Sequence, residues 1–169
     1  NKYNVRKATI NDYTLIAEYW QNQDFQSAFS QGIDIDKIPD KEAIINLLIN
    51  QDALAKEQKN TFVLIWELSN QPIGYCNITP IKYGDYANLH FHIVDKALLN
   101  SGNGEEFLKL SLPMLYEEFE LKSIRAEVFN LNEIPQKLLT KLGFKLTDEY
   151  ATTPGDWSFY QIVKKYVLD

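Results

Sequence analysis

Three consecutive strand-forming segments lie in the middle of the chain, and this feature constrains the fold most. Residues 61–68, 73–81 and 86–94 are rich in β-branched and aromatic side chains. Short polar segments at 69–72 and 82–85 separate them and are typical of tight turns. We therefore expect an antiparallel run of three neighbouring strands.

The remainder of the chain alternates further strands with helices. The other predicted strands span 3–8, 123–129, 144–150 and 157–167. The predicted helices begin after Asn11, near Pro39, at Gly104 and at Asn132. The resulting order, βααβββαβαββ, predicts one α/β (α+β) domain over residues 1–169, with a mixed, mostly antiparallel sheet of about seven strands.

Side-chain spacing makes specific predictions for the helices. Pro39 suits the first turn of the second helix, with Ile44, Leu47 and Leu48 facing inward. Gly143 is expected to end the last helix in the left-handed conformation. The long third helix should contain Pro113 and bury one stripe of apolar residues, namely Phe107, Leu108, Leu112, Leu115 and Phe119.

The charge balance restricts the partners of the chain. Seventeen basic residues and 23 acidic ones give a net charge of −6. This balance argues against nucleic acid and anionic membranes, because both require basic surfaces, and it permits a cationic partner. A single cysteine, Cys76, excludes an internal disulfide and favours a reducing compartment, so we expect a cytoplasmic location without a secretory signal.

A glycine-containing loop joins the third central strand to the long helix. Glycines at 102 and 104 allow the backbone to approach a ligand closely. The first N–H groups of a helix have no partner within it, and the helix dipole is positive there, so this turn suits a diphosphate. The alternative is a tight strand-to-helix turn without a ligand.

Two motifs of the sequence resemble those of a known family. The loop Leu99-Asn100-Ser101-Gly102-Asn103-Gly104 is similar to the pattern Arg/Gln-x-x-Gly-x-Gly/Ala, with leucine at the basic position. Asn132 is followed eleven residues later by Gly143-Phe144, a second family block. The sequence thus resembles the GNAT superfamily of acyl-CoA-dependent N-acetyltransferases, in particular its ribosomal-protein-type or siderophore-type branches.

The resemblance implies acetyl-CoA as co-substrate and a splay between the fourth and fifth strands. It implies that the main chain of Ile93 and Val94 binds the pantetheine arm, with Asn132 beside it. It further implies that the loop of Leu99, Asn100, Ser101, Gly102, Asn103 and Gly104 holds the diphosphate. Helix capping is the competing interpretation of Asn132. A homodimer is also consistent with the family.

The sequence departs from the family at the positions of the acid and the base. Leu139 stands where many members carry a tyrosine that protonates the leaving thiolate. The segment 87–92 has no carboxylate where many members place a glutamate as base. The usual acid and base therefore cannot be transferred to this chain.

Two histidines on one strand supply an alternative base. His90 and His92 are two residues apart and should lie on one face of the strand. Either can accept the proton of an amine, and we prefer His92 because it lies nearer the splay. Competing interpretations are packing, substrate binding without proton transfer, and a zinc site completed by Asp85, Asp95 or Glu127.

Glu127 on the following strand is the third catalytic candidate. It alternates with apolar residues, and it can orient a histidine or meet a cationic acceptor. A solvated strand face is the competing interpretation. The sequence thus predicts an acetyltransferase acting on a small-molecule or peptide amine, without a metal. A non-catalytic acyl-CoA-binding module and a zinc enzyme are the alternatives.

Overall fold

The strand-forming segments assemble into one seven-stranded sheet. The computed structural model describes residues 2–99 and 101–169. The strands are β1 (Tyr3–Lys7), β2 (Phe62–Leu68), β3 (Gln71–Lys82), β4 (Tyr86–Ile93), β5 (Ser123–Phe129), β6 (Lys145–Thr152) and β7 (Gln161–Leu168). Their order across the sheet is β1-β2-β3-β4-β5-β7-β6. Neighbours are antiparallel except for the parallel pair β4–β5, which confirms the predicted mixed sheet.

Helices cover both faces of this sheet. They are α1 (Ile10–Gln21), α2 (Phe25–Ser30), α3 (Lys41–Asp52), α4 (Asn103–Phe119) and α5 (Glu133–Lys141). One apolar core lies between the sheet and α4 with α5, and a second lies between the sheet and α1 with α3. Among residues 2–99 and 101–169, none of the helices has the length and apolar character needed to cross a bilayer.

The apolar pattern of α4 accounts for its position. The predicted stripe is buried along its whole length, and it forms much of the first core. Pro113 lies inside the helix, as expected. Because α4 connects the parallel strands β4 and β5, its packing fixes where its first turn meets the end of β4.

Alternation along β4 separates two functions of the strand. Leu89, Phe91 and Ile93 pack into the core beneath α4. His90 and His92 project from the opposite face, as the sequence predicts, and there the ring of His92 meets Tyr19 and Trp20 of α1. The polar side chains of β4 are thereby kept out of the α4 core.

Helix α2 is absent from the sequence-based prediction. No helix is predicted between the first helix and the one near Pro39, but six residues of this segment form a helix that buries only Ala28 among the residues described. Asp24 initiates the helix, because its carboxylate accepts the amide of Ser27 at 2.8 Å. A helix with a single buried side chain shows no regular repeat of apolar residues, so the sequence pattern could not reveal α2.

Other boundaries also differ from prediction. The Asp40 carboxylate caps α3, so Pro39 lies before the helix rather than in its first turn. Leu47 was expected to face inward, but it is 44% exposed, while Ile44 and Leu48 form the buried face. The last strand begins at Gln161 instead of residue 157, because the preceding residues turn towards the α2 segment and pair there.

Candidate functional site

The parallel strands β4 and β5 separate after a short stretch of pairing. Tyr86, Ala87 and Asn88 pair with 123–125, whereas β4 continues to Ile93 and β5 to Phe129. All residues of both strands are described, and no further pair joins them. The space between the separated ends is called the β4–β5 gap below, and it matches the predicted splay.

The backbone at the end of β4 offers groups to this gap. The Val94 amide donates to the Ile73 carbonyl of β3 at 2.8 Å. Because successive N–H groups of a strand point in opposite directions, the amide of Ile93 faces away from β3 and into the gap. Ile93 therefore suits the predicted main-chain contact. The Val94 amide does not suit this contact, because it already donates to the Ile73 carbonyl. Val94 can therefore offer only its carbonyl oxygen to the pantetheine arm.

A short turn leads from β4 towards α4. Asp95 accepts the amide of Ala97 at 3.1 Å and starts a 3-10 turn over Lys96–Leu98. The Ser101 hydroxyl donates to the Leu98 carbonyl at 2.7 Å. Leu99 is 48% exposed and supplies no positive charge. The predicted diphosphate contact of Asn100 lies outside the described residues.

The first turn of α4 is built for close approach of its backbone. Gly102 adopts φ +80°, a left-handed conformation that favours glycine, and a Cβ there would meet nothing within 4 Å. A Cβ on Gly104 would lie 3.3 Å from Leu138, so this glycine lets α4 and α5 pack closely. The two glycines thus serve different purposes, and Gly102 is the one that faces open space.

Asn103 holds the loop in place through its side chain. It is 7% exposed, and its Nδ2 donates to the Ser101 hydroxyl at 2.7 Å. Its Oδ1 accepts the hydroxyl of Tyr3 at 2.9 Å. Because both side-chain atoms are bonded within the protein, only the main chain of Asn103 remains for a ligand.

The main-chain amides at this helix start fit a diphosphate. Among the described residues, none accepts a hydrogen bond from the amides of Gly102, Asn103 or Gly104. Such amides, at the positive end of a 17-residue helix, are a favourable anion site. The first turn also carries the carboxylates of Glu105 and Glu106. Lys141 Nζ lies 2.8 Å from Glu105, and Lys109 Nζ lies 3.7 Å from both carboxylates, which offsets part of this negative charge.

His92 is enclosed by aromatic rings. The rings of Tyr19, Trp20 and Tyr75 lie 5.0–5.4 Å from its imidazole, and the Tyr19 hydroxyl lies 3.4 Å from its Nδ1. Burial, with a smaller contribution from His90, lowers the pKa of His92 to about 3. The imidazole is therefore neutral near pH 7 and only weakly basic.

His90 is held by the backbone of β3. Its Nε2 lies 3.2 Å from the carbonyl oxygen of Thr79. Since a carbonyl can only accept, Nε2 carries the proton, and Nδ1 is the ring atom that can accept one. Burial lowers the pKa of His90, opposed by the Thr79 bond and by the charge of Glu127. Both histidines are therefore neutral near pH 7.

Glu127 faces the histidines from β5. Its Oε1 accepts Asn88 Nδ2 at 3.2 Å, and its Oε2 accepts the hydroxyl of Tyr150 on β6. Burial and the adjacent carboxylate raise the pKa of Tyr150, so this phenol stays protonated as a donor. No local pattern in the sequence points to this contact, because the two residues are 23 positions apart and lie on different strands.

The segment that includes α2 packs on the face of β5 that carries Glu127, because Phe29 contacts Phe129. Ile33 of this segment pairs with Ser158 in the loop before β7, and Nε2 of Gln161, the first residue of β7, donates to the Gly32 carbonyl at 2.8 Å. Trp157 from that loop packs against Trp20 with ring centroids 5.2 Å apart. Residues of α1, the α2 segment and the loop before β7 therefore contact one another on this face of the sheet.

A metal site does not emerge from the histidine pair. In the part of the chain that the structure describes, no group of three or more His, Cys, Asp or Glu side chains is placed to hold a metal ion. The Thr79 carbonyl already accepts from Nε2 of His90. The zinc interpretation thus lacks the third protein ligand that it requires.

Comparison with protein families decides the affiliation of the chain. The family model described as an acetyltransferase (GNAT) domain matches residues 3–145. The chain belongs to the GNAT acetyltransferase family. This affiliation confirms the resemblance to the GNAT superfamily, whereas the ribosomal-protein-type or siderophore-type branch stays a prediction. No curated protein sequence matches the chain significantly.

Solved structures with the GNAT fold cover almost the whole chain. Spermidine N-acetyltransferase from Vibrio cholerae, in complex with CoA and spermine, shares 15% identity at a TM-score of 0.80 and covers 99% of this chain and 95% of its own. Ribosomal-protein-S5-alanine acetyltransferase from Vibrio fischeri shares 17% sequence identity at a TM-score of 0.79. The alignment covers 99% of this chain and 93% of that protein. A GNAT-family acetyltransferase from Streptococcus pneumoniae shares 18% sequence identity at a TM-score of 0.71, and the alignment covers 98% of each chain. At these identities the likeness shows the fold.

The second family motif lies at α5 of this GNAT protein. Asn132 precedes the helix, and its side chain makes no capping hydrogen bond, so capping does not explain it. Gly143 adopts φ +95°, as predicted for a left-handed end. Leu139 is fully buried in the α4 core, so this position provides no acid to the gap.

Proposed function

We propose that the chain transfers an acetyl group from acetyl-CoA to a primary amine. The observation that carries this proposal is the β4–β5 gap, which lies at the end of β4 that leads into α4, whose first amides have no acceptor among residues 2–99 and 101–169. One end of the gap can hold an anion, and the other contains a carboxylate, two neutral histidines and a phenol. Such a division suits a long phosphorylated co-substrate whose reactive end meets a polar acceptor.

The backbone supplies most of the proposed co-substrate contacts. The amides of Gly102, Asn103 and Gly104 would hold the diphosphate, with Ser101 shaping the loop. The Ile93 amide and the Val94 carbonyl would bind the pantetheine arm, and Asn132 would lie beside it. These contacts do not need a basic residue at the position of Leu99, because the helix start provides the positive potential.

The acceptor must lose a proton before it can react. A lysine-like amine has a pKa of ~10.4 and has no lone pair while charged. Acetyl-CoA, when bound, supplies a thioester carbonyl for direct attack, with a thiolate as leaving group. The protein must therefore attract the ammonium, take its proton and exclude water around it.

Glu127 suits the tasks of attracting the amine and taking its proton better than His92 does. Its two oxygens are fixed by Asn88 and Tyr150, and its charge attracts an ammonium into the gap. His92 has a pKa of about 3, and a weak base accepts a proton from an amine less readily. We therefore propose Glu127 as the proton acceptor, with His90 and His92 lining the acceptor pocket as neutral rings.

Direct binding and turnover test this proposal. We expect heat on titration of acetyl-CoA by calorimetry, and thiol release when primary amines are added. Glu127→Gln should lower kcat/KM by about 10²–10⁴ and leave acetyl-CoA binding unchanged. His92→Gln should retain more activity than Glu127→Gln.

Each alternative has its own outcome in the same assays. If His92→Gln abolishes turnover while the fold and acetyl-CoA binding persist, the histidine is the base. Binding without transfer to any amine would indicate a non-catalytic module. An absence of heat at millimolar acetyl-CoA would overturn the proposed function.

A further inference from the structure

Four phenylalanine rings form a continuous stack between α2 and the end of β5. Phe25 stacks on Phe29 at 5.9 Å, and Phe29 stacks on Phe159 at 5.3 Å. Phe129 packs edge-on against Phe29 at 5.7 Å and against Phe159 at 5.3 Å. These four residues are called the phenylalanine ladder below.

The outer part of the ladder is open to solvent. Phe25 is 69% exposed and Phe29 is 41% exposed, whereas Phe129 at the inner end is 7% exposed. Single exposed apolar residues are common on proteins, but stacked rings that run from the surface to a buried ring form a continuous apolar surface. Such a surface suits the apolar part of a ligand.

The inner end of the ladder lies next to the carboxylate of the gap. Phe129 follows Glu127 by two positions on β5, so the two side chains project from the same face, about 7 Å apart along the strand. Helix α2 brings Phe29 onto Phe129 on this same face. The ladder therefore begins within reach of an amine bound at Glu127, on the face of β5 that carries this carboxylate.

The surrounding charges favour one ammonium rather than several. The four ladder side chains are uncharged, and the nearest carboxylate in the chain, Asp24, accepts the Ser27 amide at the start of α2. On the other side of Glu127, Arg125 carries a positive charge and lies 3.7 Å from the ring centroid of Tyr86. A second ammonium would meet repulsion there, and none of the four ladder side chains carries a charge that would offset it.

We propose that the acceptor carries one primary ammonium bound at Glu127 and an apolar, preferably aromatic, substituent that lies on the phenylalanine ladder. This inference rests on the proposed acetyl transfer and adds the class of acceptor. The same chemistry occurs in a free arylalkylamine and at the N-terminus of a peptide that begins with an aromatic residue.

Acetylation kinetics with matched acceptors test the inference. The full chain is assayed by thiol release at saturating acetyl-CoA with 2-phenylethylamine, ethylamine, spermidine, the peptide Phe-Gly-Gly amide and the peptide Gly-Gly-Gly amide. Each aromatic acceptor should exceed its small counterpart by about tenfold or more in kcat/KM. The ratio between the free amine and the peptide then distinguishes the two sources.

Ladder variants link this preference to the rings. Phe25→Ala removes an exposed ring with little effect on folding, and Phe29→Leu keeps an apolar side chain but removes the stack. Both should reduce kcat/KM for the aromatic acceptor and leave ethylamine unchanged. Tyr160→Ala is the matched control, because this ring is 73% exposed and outside the ladder. The Tyr160→Ala variant should prefer aromatic acceptors over small ones to the same degree as the wild type.

The outcomes separate this inference from the proposed function. Thiol release with ethylamine or spermidine that equals or exceeds release with aromatic acceptors would overturn the ladder's role and leave acetyl transfer intact. An aromatic preference that survives in both ladder variants would also overturn it. If no amine causes thiol release, the proposed function and this inference fail together.

Discussion

The aromatic enclosure of His92 predicts a specific pH dependence of stability. The pKa of this histidine is about 3 in the folded protein, against 6.5 as the ordinary value. Below pH 6.5 the unfolded chain binds a proton that the folded chain excludes, so the free energy of unfolding falls as the pH decreases. The slope approaches about 1.4 kcal/mol per pH unit, and the loss between pH 8 and pH 5 is about 2 kcal/mol.

Urea unfolding followed by tryptophan fluorescence measures this effect. His92→Gln keeps a polar side chain of similar size but cannot titrate, so its stability should not include this loss. The stability difference between wild type and variant should therefore shrink by about 2 kcal/mol between pH 8 and pH 5. Working above pH 5 avoids most of the titration of carboxylates.

A second variant separates titration from packing. Tyr19→Phe removes the hydroxyl near Nδ1 of His92 but keeps the histidine and the ring around it. It should show the full pH dependence of the wild type, with a constant offset. If the difference between wild type and His92→Gln stays constant from pH 8 to pH 5, the enclosed, neutral state of His92 is refuted.

Three further predictions follow from the glycine loop, the phenol and the buried thiol. Gly102→Ala places a Cβ at φ +80°, which costs about 1–2 kcal/mol, so calorimetry should show acetyl-CoA affinity reduced about tenfold with secondary structure unchanged by circular dichroism. Tyr150→Phe removes a hydrogen-bond donor to Glu127, so kcat/KM for the amine should fall about tenfold while the KM of acetyl-CoA stays unchanged. Tyr83→Phe is the control, because it breaks a similar tyrosine–glutamate bond at the β3–β4 turn and should change neither constant. Burial raises the pKa of Cys76 to about 12, so a thiol reagent at pH 8 should label it only as fast as the protein unfolds, and rapid labelling of the native protein would contradict its burial.

The sequence predicted those strands and helices in which apolar side chains recur at a regular spacing. The strands of the central run and the buried stripe of α4 follow from side-chain spacing alone, since burial of one face imposes that spacing. Leu47 was misplaced because its helix has only two buried residues, Ile44 and Leu48, and a weak stripe leaves the inward direction ambiguous.

The candidate site could be predicted only where its parts are local in sequence. The loop with Gly102 and the pair His90 and His92 are visible as short motifs. The bond between Tyr150 and Glu127 depends on the register of β6, β7 and β5, which no local pattern encodes. The bonded state of the Val94 amide likewise depends on pairing with a distant strand.

The alternation along β4 makes this strand intolerant of insertions. A single residue added before Leu89 would rotate every later side chain to the opposite face. Both imidazoles would then enter the hydrocarbon interior, and Phe91 would take a place among the polar groups. Length variation in a functional descendant of this chain is therefore expected in the turns on either side of the strand and not within it.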